Sequence, residues 1–162
     1  MKELPKNQLS PKIKFVWRIN DTIWLTFTFL FLLLIFGNVA ALAFPAWVST
    51  TLIAIAVLYV VCLIVWWFVL TPIRFVRWRY ELSSDFLDIA KGIIWRKRYI
   101  IPFVRVQNTD TRQGPILRAF GLSSVTVSTA AGGHEIPGLQ NELAEQLRDK
   151  AAELARIAQE DV

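Results

Sequence analysis

His134, in the run Gly-Gly-His-Glu, is the only histidine of this 162-residue sequence. It is the one side chain whose ordinary charge change falls near neutral pH. A metal centre needs several His, Cys or carboxylate donors, and one histidine without a cysteine partner cannot supply them. The 13 Asp and Glu residues are scattered, with no paired pattern for acid–base work. Gly114, Gly132 and Gly133 form neither GxxxxGK[ST] nor GxGxxG, so they make no phosphate loop. Cys62, the sole cysteine, lies among Val60, Val61, Leu63 and Ile64. It reads as a small apolar packing residue, with no disulfide partner in the chain. No catalytic residue, metal ligand or cofactor site is expected, and no enzyme.

The chemistry that remains is cationic. Arg96-Lys97-Arg98 is the densest basic cluster, and Arg74, Arg77 and Arg79 join it. Together they could meet anionic lipid headgroups, each contributing about 1 kcal/mol near a membrane surface. A solvated strand face is the other reading of the same charges. The net charge is +5 and the pI about 9.7, values that also suit nucleic acid. Their distribution argues otherwise. Residues 1–21 carry five Lys/Arg against two acids and 74–118 carry ten against four, whereas 119–162 carry three against seven. The positive excess flanks both ends of a hydrophobic run, so membrane topology explains it and no nucleic acid is expected.

That run positions everything else. Residues 22–73, 52 in a row, contain no Asp, Glu, Lys, Arg or His. A charge at the bilayer centre costs roughly 2.5–3.5 kcal/mol on insertion scales, which a soluble core has no equivalent reason to avoid over such a length. Residues 22–44 and 47–70 are each long enough to cross about 30 Å of hydrocarbon as a helix. Pro45 separates them, which makes Phe44-Pro45-Ala46-Trp47 a tight hairpin. Trp24, Trp47, Trp66 and Trp67 fall near the span ends, where amphipathic rings anchor. The first span is too long and lacks the cleavage site of a signal peptide. All Lys/Arg lie outside the run and the hairpin loop has none, so both termini are expected in the cytoplasm.

Before the spans, residues 1–21 form a basic segment. Ser10-Pro11 has the chemistry of a helix start, with the serine as cap. Ile13, Val16 and Trp17 share one helical face, suited to lying along the inner membrane surface; a plain basic flank to the first span is the other reading.

Residues 71–162 are the expected soluble domain. A period of two over 75–82 predicts a half-buried strand. Ser83-Ser84-Asp85 turns the chain into a second strand carrying Leu87 and Ile89, which Gly92 ends. Further strands are expected at 93–101 and, after Pro102, at 103–111. A short helical or irregular stretch follows Gly114-Pro115, then a strand over 122–129, a Gly132-Gly133 turn and a short strand around 135–137. From 138 to 159 apolar residues recur at three- and four-residue spacing, predicting one amphipathic helix with Leu143 and Leu147 against the sheet. The fold class is a transmembrane helical hairpin plus an α+β, mainly β domain of antiparallel strands capped by a C-terminal helix.

This order resembles the pleckstrin-homology (PH) superfold. Arg79-Tyr80-Glu81-Leu82, Gly92, residues 101–107 (IPFVRVQ), Arg118-Ala119-Phe120-Gly121-Leu122 and residues 129–132 (TAAG) resemble the bacterial PH-like domain family. Trp17-Arg18 followed by two spans is similar to its YdbS-type members. The resemblance implies a PH-like barrel of two packed sheets and a bacterial cell membrane. It implies no activity, because the superfold hosts unrelated functions. Within the motif Arg105, Gln107 and Arg118 are candidate partner or structural residues.

The expected function is a membrane-anchored cytoplasmic interaction module that binds a protein partner, either a related PH-like membrane protein or another copy of itself. The alternative is a sensor of anionic lipids. Against a specific phosphoinositide site, the Ser83–Asp85 turn is short and acidic where eukaryotic lipid-binding PH domains carry basic residues. A transporter is disfavoured, because the spans hold no charge to mark a pathway.

Overall fold

The computed structural model describes residues 4–43 and 46–160. Phe44 and Pro45, at the centre of the expected hairpin connection, lie outside the described residues. The chain forms two compact units, one of residues 4–16 with 73–160 and one of residues 17–72.

The second unit is helical. Helix α1 covers Ile13–Ala43 and α2 covers Ala46–Val65; a π turn, Trp66–Leu70, follows and then α3, Thr71–Arg77. The two long helices run antiparallel, as their contacts show. Thr26 Oγ1 and Tyr59 Oη are 2.8 Å apart, and Phe29 stacks on Tyr59 at 4.5 Å. Towards the other end Trp66 Nε1 donates to Asp21 (2.7 Å) and Trp67 Nε1 to Thr22 (2.9 Å).

The π turn has a local cause. Thr71 N–H bonds the Trp66 carbonyl, five residues back. In that register the Trp67 carbonyl would accept from residue 72, which is proline and has no N–H. Arg18 Nη2 fills the gap, donating to Trp67 O at 3.1 Å.

The first unit holds two antiparallel sheets. Strands β1 (Asn7–Gln8), β2 (Arg79–Leu82), β3 (Phe86–Lys91) and β4 (Lys97–Pro102) form one in that order; β5 (Val106–Arg112), β6 (Leu122–Thr129) and β7 (Gly132–Gln140) form the other. A one-turn helix, α4 (Pro115–Ala119), links β5 to β6, and α5 (Asn141–Glu160) closes the chain. The core draws on both sheets: Tyr80, Leu87 and Ile89 from the first, Val125, Val127, Ile136 and Leu139 from the second, with Phe103 of the 3-10 turn that links them. On α5 the buried face is Ala144, Leu147, Ala151 and Ala155.

Strand β1 is the largest departure from expectation. Its two residues pair with Tyr80 and Arg79, and the segment buries Pro5, Leu9 and Ile13. The Ile13, Val16 and Trp17 face is therefore covered by protein instead of lying bare for a membrane surface. Ile13 packs against the backbone at Gly138, where φ is +65° and a Cβ would collide with the isoleucine side chain. Ser10 N–H donates to the Gly138 carbonyl (3.1 Å), but its hydroxyl has no hydrogen-bond partner and does not cap the helix.

Several boundaries also differ. Residues 75–77 are helical, because α3 carries on from the π turn until Trp78 N–H bonds Arg74 O at 3.1 Å. Residues 93–96 are a loop, because Gly92 at φ +121° turns the chain out of β3. Residues 103–105 form a 3-10 turn, since Pro102 sits at φ −63° and Phe103 N–H bonds the Asp85 carbonyl. The β6–β7 turn is Ala130–Ala131, and Gly132 already pairs with Thr129. Strand β7 then runs to Gln140, so the last helix begins at Asn141 and not at 138. This sets its face: Leu143 is 43% exposed, because the small residues Ala144 and Ala151 let the helix lie close on the other side of Leu143.

Candidate functional site

The six basic residues singled out from the sequence separate in the structure. Arg98 on β4 forks onto Asp88 of β3: Nε lies 3.0 Å from both carboxylate oxygens and Nη2 2.5 Å from Oδ2. Asp88 is buried, so the pair holds a charge inside the sheet that one partner alone would leave uncompensated. The hydrogen bond to Asp88 raises the Arg98 pKa above its usual value. Arg77 donates through Nη1 to the Ile93 carbonyl, and Arg79 Nε to Val76 O at 3.3 Å. Arg98 and Arg77 thus tie separate segments of the domain together, while the Arg79 bond is local.

Arg74, Arg96 and Lys97 are placed differently. Arg74 on α3 and Lys97 at the start of β4 line a cleft of about 300 Å³, together with Trp78, Lys91, Ile93 and Trp95. Lys91 and Lys97 stand directly opposite in the β3–β4 register, a like-charge pairing that is unfavourable on a sheet. The Lys91 ammonium lies 5.9 Å from the Trp78 ring and 5.3 Å from the Tyr99 ring, within cation–π reach. Arg96 is exposed on the loop between the strands.

That loop also carries Ile94 and Trp95, 84% and 79% exposed. No large apolar side chain among the described residues is more exposed, including those of the apolar spans. A Cβ on Gly92 would strike the Trp95 carbonyl, so only glycine permits so tight a turn here. Arg77 holds the loop from below through Ile93 O. Lys91, Ile94 and Trp95 were not singled out from the sequence. Their signal was present: two apolar runs, Ile93-Ile94-Trp95 and Tyr99-Ile100-Ile101, flank a cationic triplet just after a glycine.

A second cleft, of about 310 Å³, lies beside β4 and includes Tyr99, Ile101, Arg105, Thr129 and His134. His134 leans on Tyr99 with ring centres 4.8 Å apart. Burial, and then the nearby Lys91 charge, hold its pKa below the usual value. Gln107 on β5 and Arg118 on α4 are exposed, and Arg105 lies on the 3-10 turn before β5. Among the described residues no group of three or more His, Cys, Asp or Glu gathers.

Two long apolar helices joined to a pair of antiparallel sheets and a C-terminal helix define a membrane protein with a PH-like domain. The chain belongs to the bacterial PH domain family, whose profile matches residues 24–155. It is 40% identical over 166 residues, covering all of both chains, to the UPF0699 transmembrane protein YdbS of Bacillus subtilis (strain 168). No solved structure matches.

Proposed function

We propose that the chain is a non-enzymatic, membrane-anchored interaction module, whose PH-like domain binds a related PH-like membrane protein or a second copy of itself beneath the bacterial membrane. The observation that carries this reading is the outer edge of β4. Among the described residues the strand pairs only with β3, so its other side offers unpaired backbone groups to an incoming strand. Ile100 and Val104, 49% and 44% exposed, flank that edge, and the cleft of Tyr99 and Arg105 lies beside it. The cytoplasmic side rests on the basic flanks and the uncharged hairpin.

A photo-crosslinking amino acid at Ile100 or Val104 of the full chain, alone or co-expressed with a related PH-like membrane protein, tests it. A covalent pair of defined mass is expected from these positions and not from Lys150, exposed on α5. Crosslinks that arise equally at all three positions, or none, remove the reading. Membrane-impermeant labelling of cysteines placed at positions 6 and 158 should require permeabilised cells; labelling of intact cells at either position would reverse the topology.

A further inference from the structure

The loop between β3 and β4 combines features that a soluble surface does not need. Its two apolar side chains are almost wholly exposed, yet the backbone beneath them is held by the Gly92 turn and by Arg77. The cleft at its base gathers Arg74, Lys91 and Lys97 and has no acidic residue in its lining. Lys91 faces Lys97 across the strands, a repulsion that an anion placed between them would relieve. We propose that this loop is a membrane-dipping element: Ile94 and Trp95 enter the headgroup region of the bilayer that the chain spans, and the cleft cations hold an anionic lipid phosphate.

Chain length supports the bilayer as the occupant. Leu70 ends the π turn, and Arg74, in the cleft, follows four residues later. Four residues reach at most about 14 Å, so the chain tethers Arg74 within that distance of the end of its second apolar span. At a membrane interface tryptophan is the favoured anchor, because its ring is apolar and its N–H wants a wet partner. Because the loop is already ordered by its own contacts, docking it loses little conformational freedom. The inference concerns a different face from the β4 edge and holds whether or not a protein binds there.

The test uses the full chain with Cys62→Ala, a single cysteine at Ile94→Cys and a polarity-sensitive fluorophore on it, reconstituted in nanodiscs. The discs are phosphatidylcholine alone or mixed with phosphatidylglycerol, and an otherwise identical protein labelled at Lys150→Cys is the control. In the mixed discs the label at 94 should shift to the blue, be quenched by lipids spin-labelled near the headgroup, and resist aqueous acrylamide several-fold better than the label at 150. Arg96→Glu with Lys97→Glu should restore acrylamide access. Equal acrylamide quenching at 94 and 150 in the mixed discs would overturn the proposal. So would shielding at 94 that persists in detergent together with a crosslinked dimer, which would assign the loop to a protein surface instead.

Discussion

The two units use the same apolar residues in opposite ways. In the sheet unit Leu87, Leu122 and Leu139 have no solvent exposure, whereas in the helical unit Leu34 and Leu58 are 64% and 62% exposed. Both apolar windows of the helical unit are 0% buried within the protein. Water drives the first arrangement, since removing apolar surface from it is the main gain of folding. Lipid, as apolar as leucine itself, gives no such drive, and helices there associate through packing and a few hydrogen bonds. The polar contacts fit this division: Thr26–Tyr59, Asp21–Trp66 and Thr22–Trp67 tie helix to helix, while packing of small and large apolar residues ties α5 to the sheets.

Substitution should expose the contrast. Leu147→Ala removes a buried anchor of α5 and should destabilise the sheet unit by about 2–5 kcal/mol. Leu34→Ala, the same chemical change in a span, should leave the thermal melt of that unit in place. Equal effects in detergent-solubilised full chain would mean that the two units do not follow different rules.

Gly138→Ala should cost about 1–3 kcal/mol, because alanine strains the left-handed backbone and meets Ile13. Ile13→Ala in the same chain should recover part of this in a double-mutant cycle, since the two positions touch. Full additivity would show that Ile13 is not packed there. Within the helical unit, Tyr59→Phe should cost only about 0.6 kcal/mol of helix–helix association, the mean for such bonds in membranes. A change of several kcal/mol would mean that the Thr26 contact, and not side-chain packing, dominates.

The smallest effect concerns pH. The His134 pKa is lowered on folding, so the unfolded chain binds its proton more readily. Stability is then unaffected well above about pH 6.5, the ordinary histidine value, and falls as the pH drops through it towards the lower folded value. His134→Gln should flatten the melting temperature across that window. An unchanged slope would assign the acid sensitivity to other groups.

Legibility from sequence followed the same division. The spans are marked by charge alone, and β6 falls on Leu122–Thr129 as read, because alternation between Gly121 and the turn is a local signal. Strand β1 is two residues long and its partner lies some seventy residues away, so no window contains the pattern. On α5 the expected Leu147 is buried but Leu143 is not, because the face runs through Ala144, Leu147, Ala151 and Ala155, and small residues carry little hydrophobic signal. At the candidate site the cations were visible, but Arg98 belongs to Asp88, a pairing that only the register of β3 and β4 brings about. Ile94 and Trp95 fall within the strand expected at 93–101, because an apolar run after a glycine carries the same local pattern whether it is paired or exposed.

The placement of β1 has one more consequence. The connection between the first two strands of the sheet is not the Ser83–Asp85 turn; it is the pair of apolar helices themselves. During synthesis, residues 7 and 8 emerge before the helices and remain without their partner strand until both helices and residues 79–80 have followed. Completion of the sheet therefore waits for the intervening helices to be made. Until then the β2 edge stays open and Leu9 and Ile13 lack their cover.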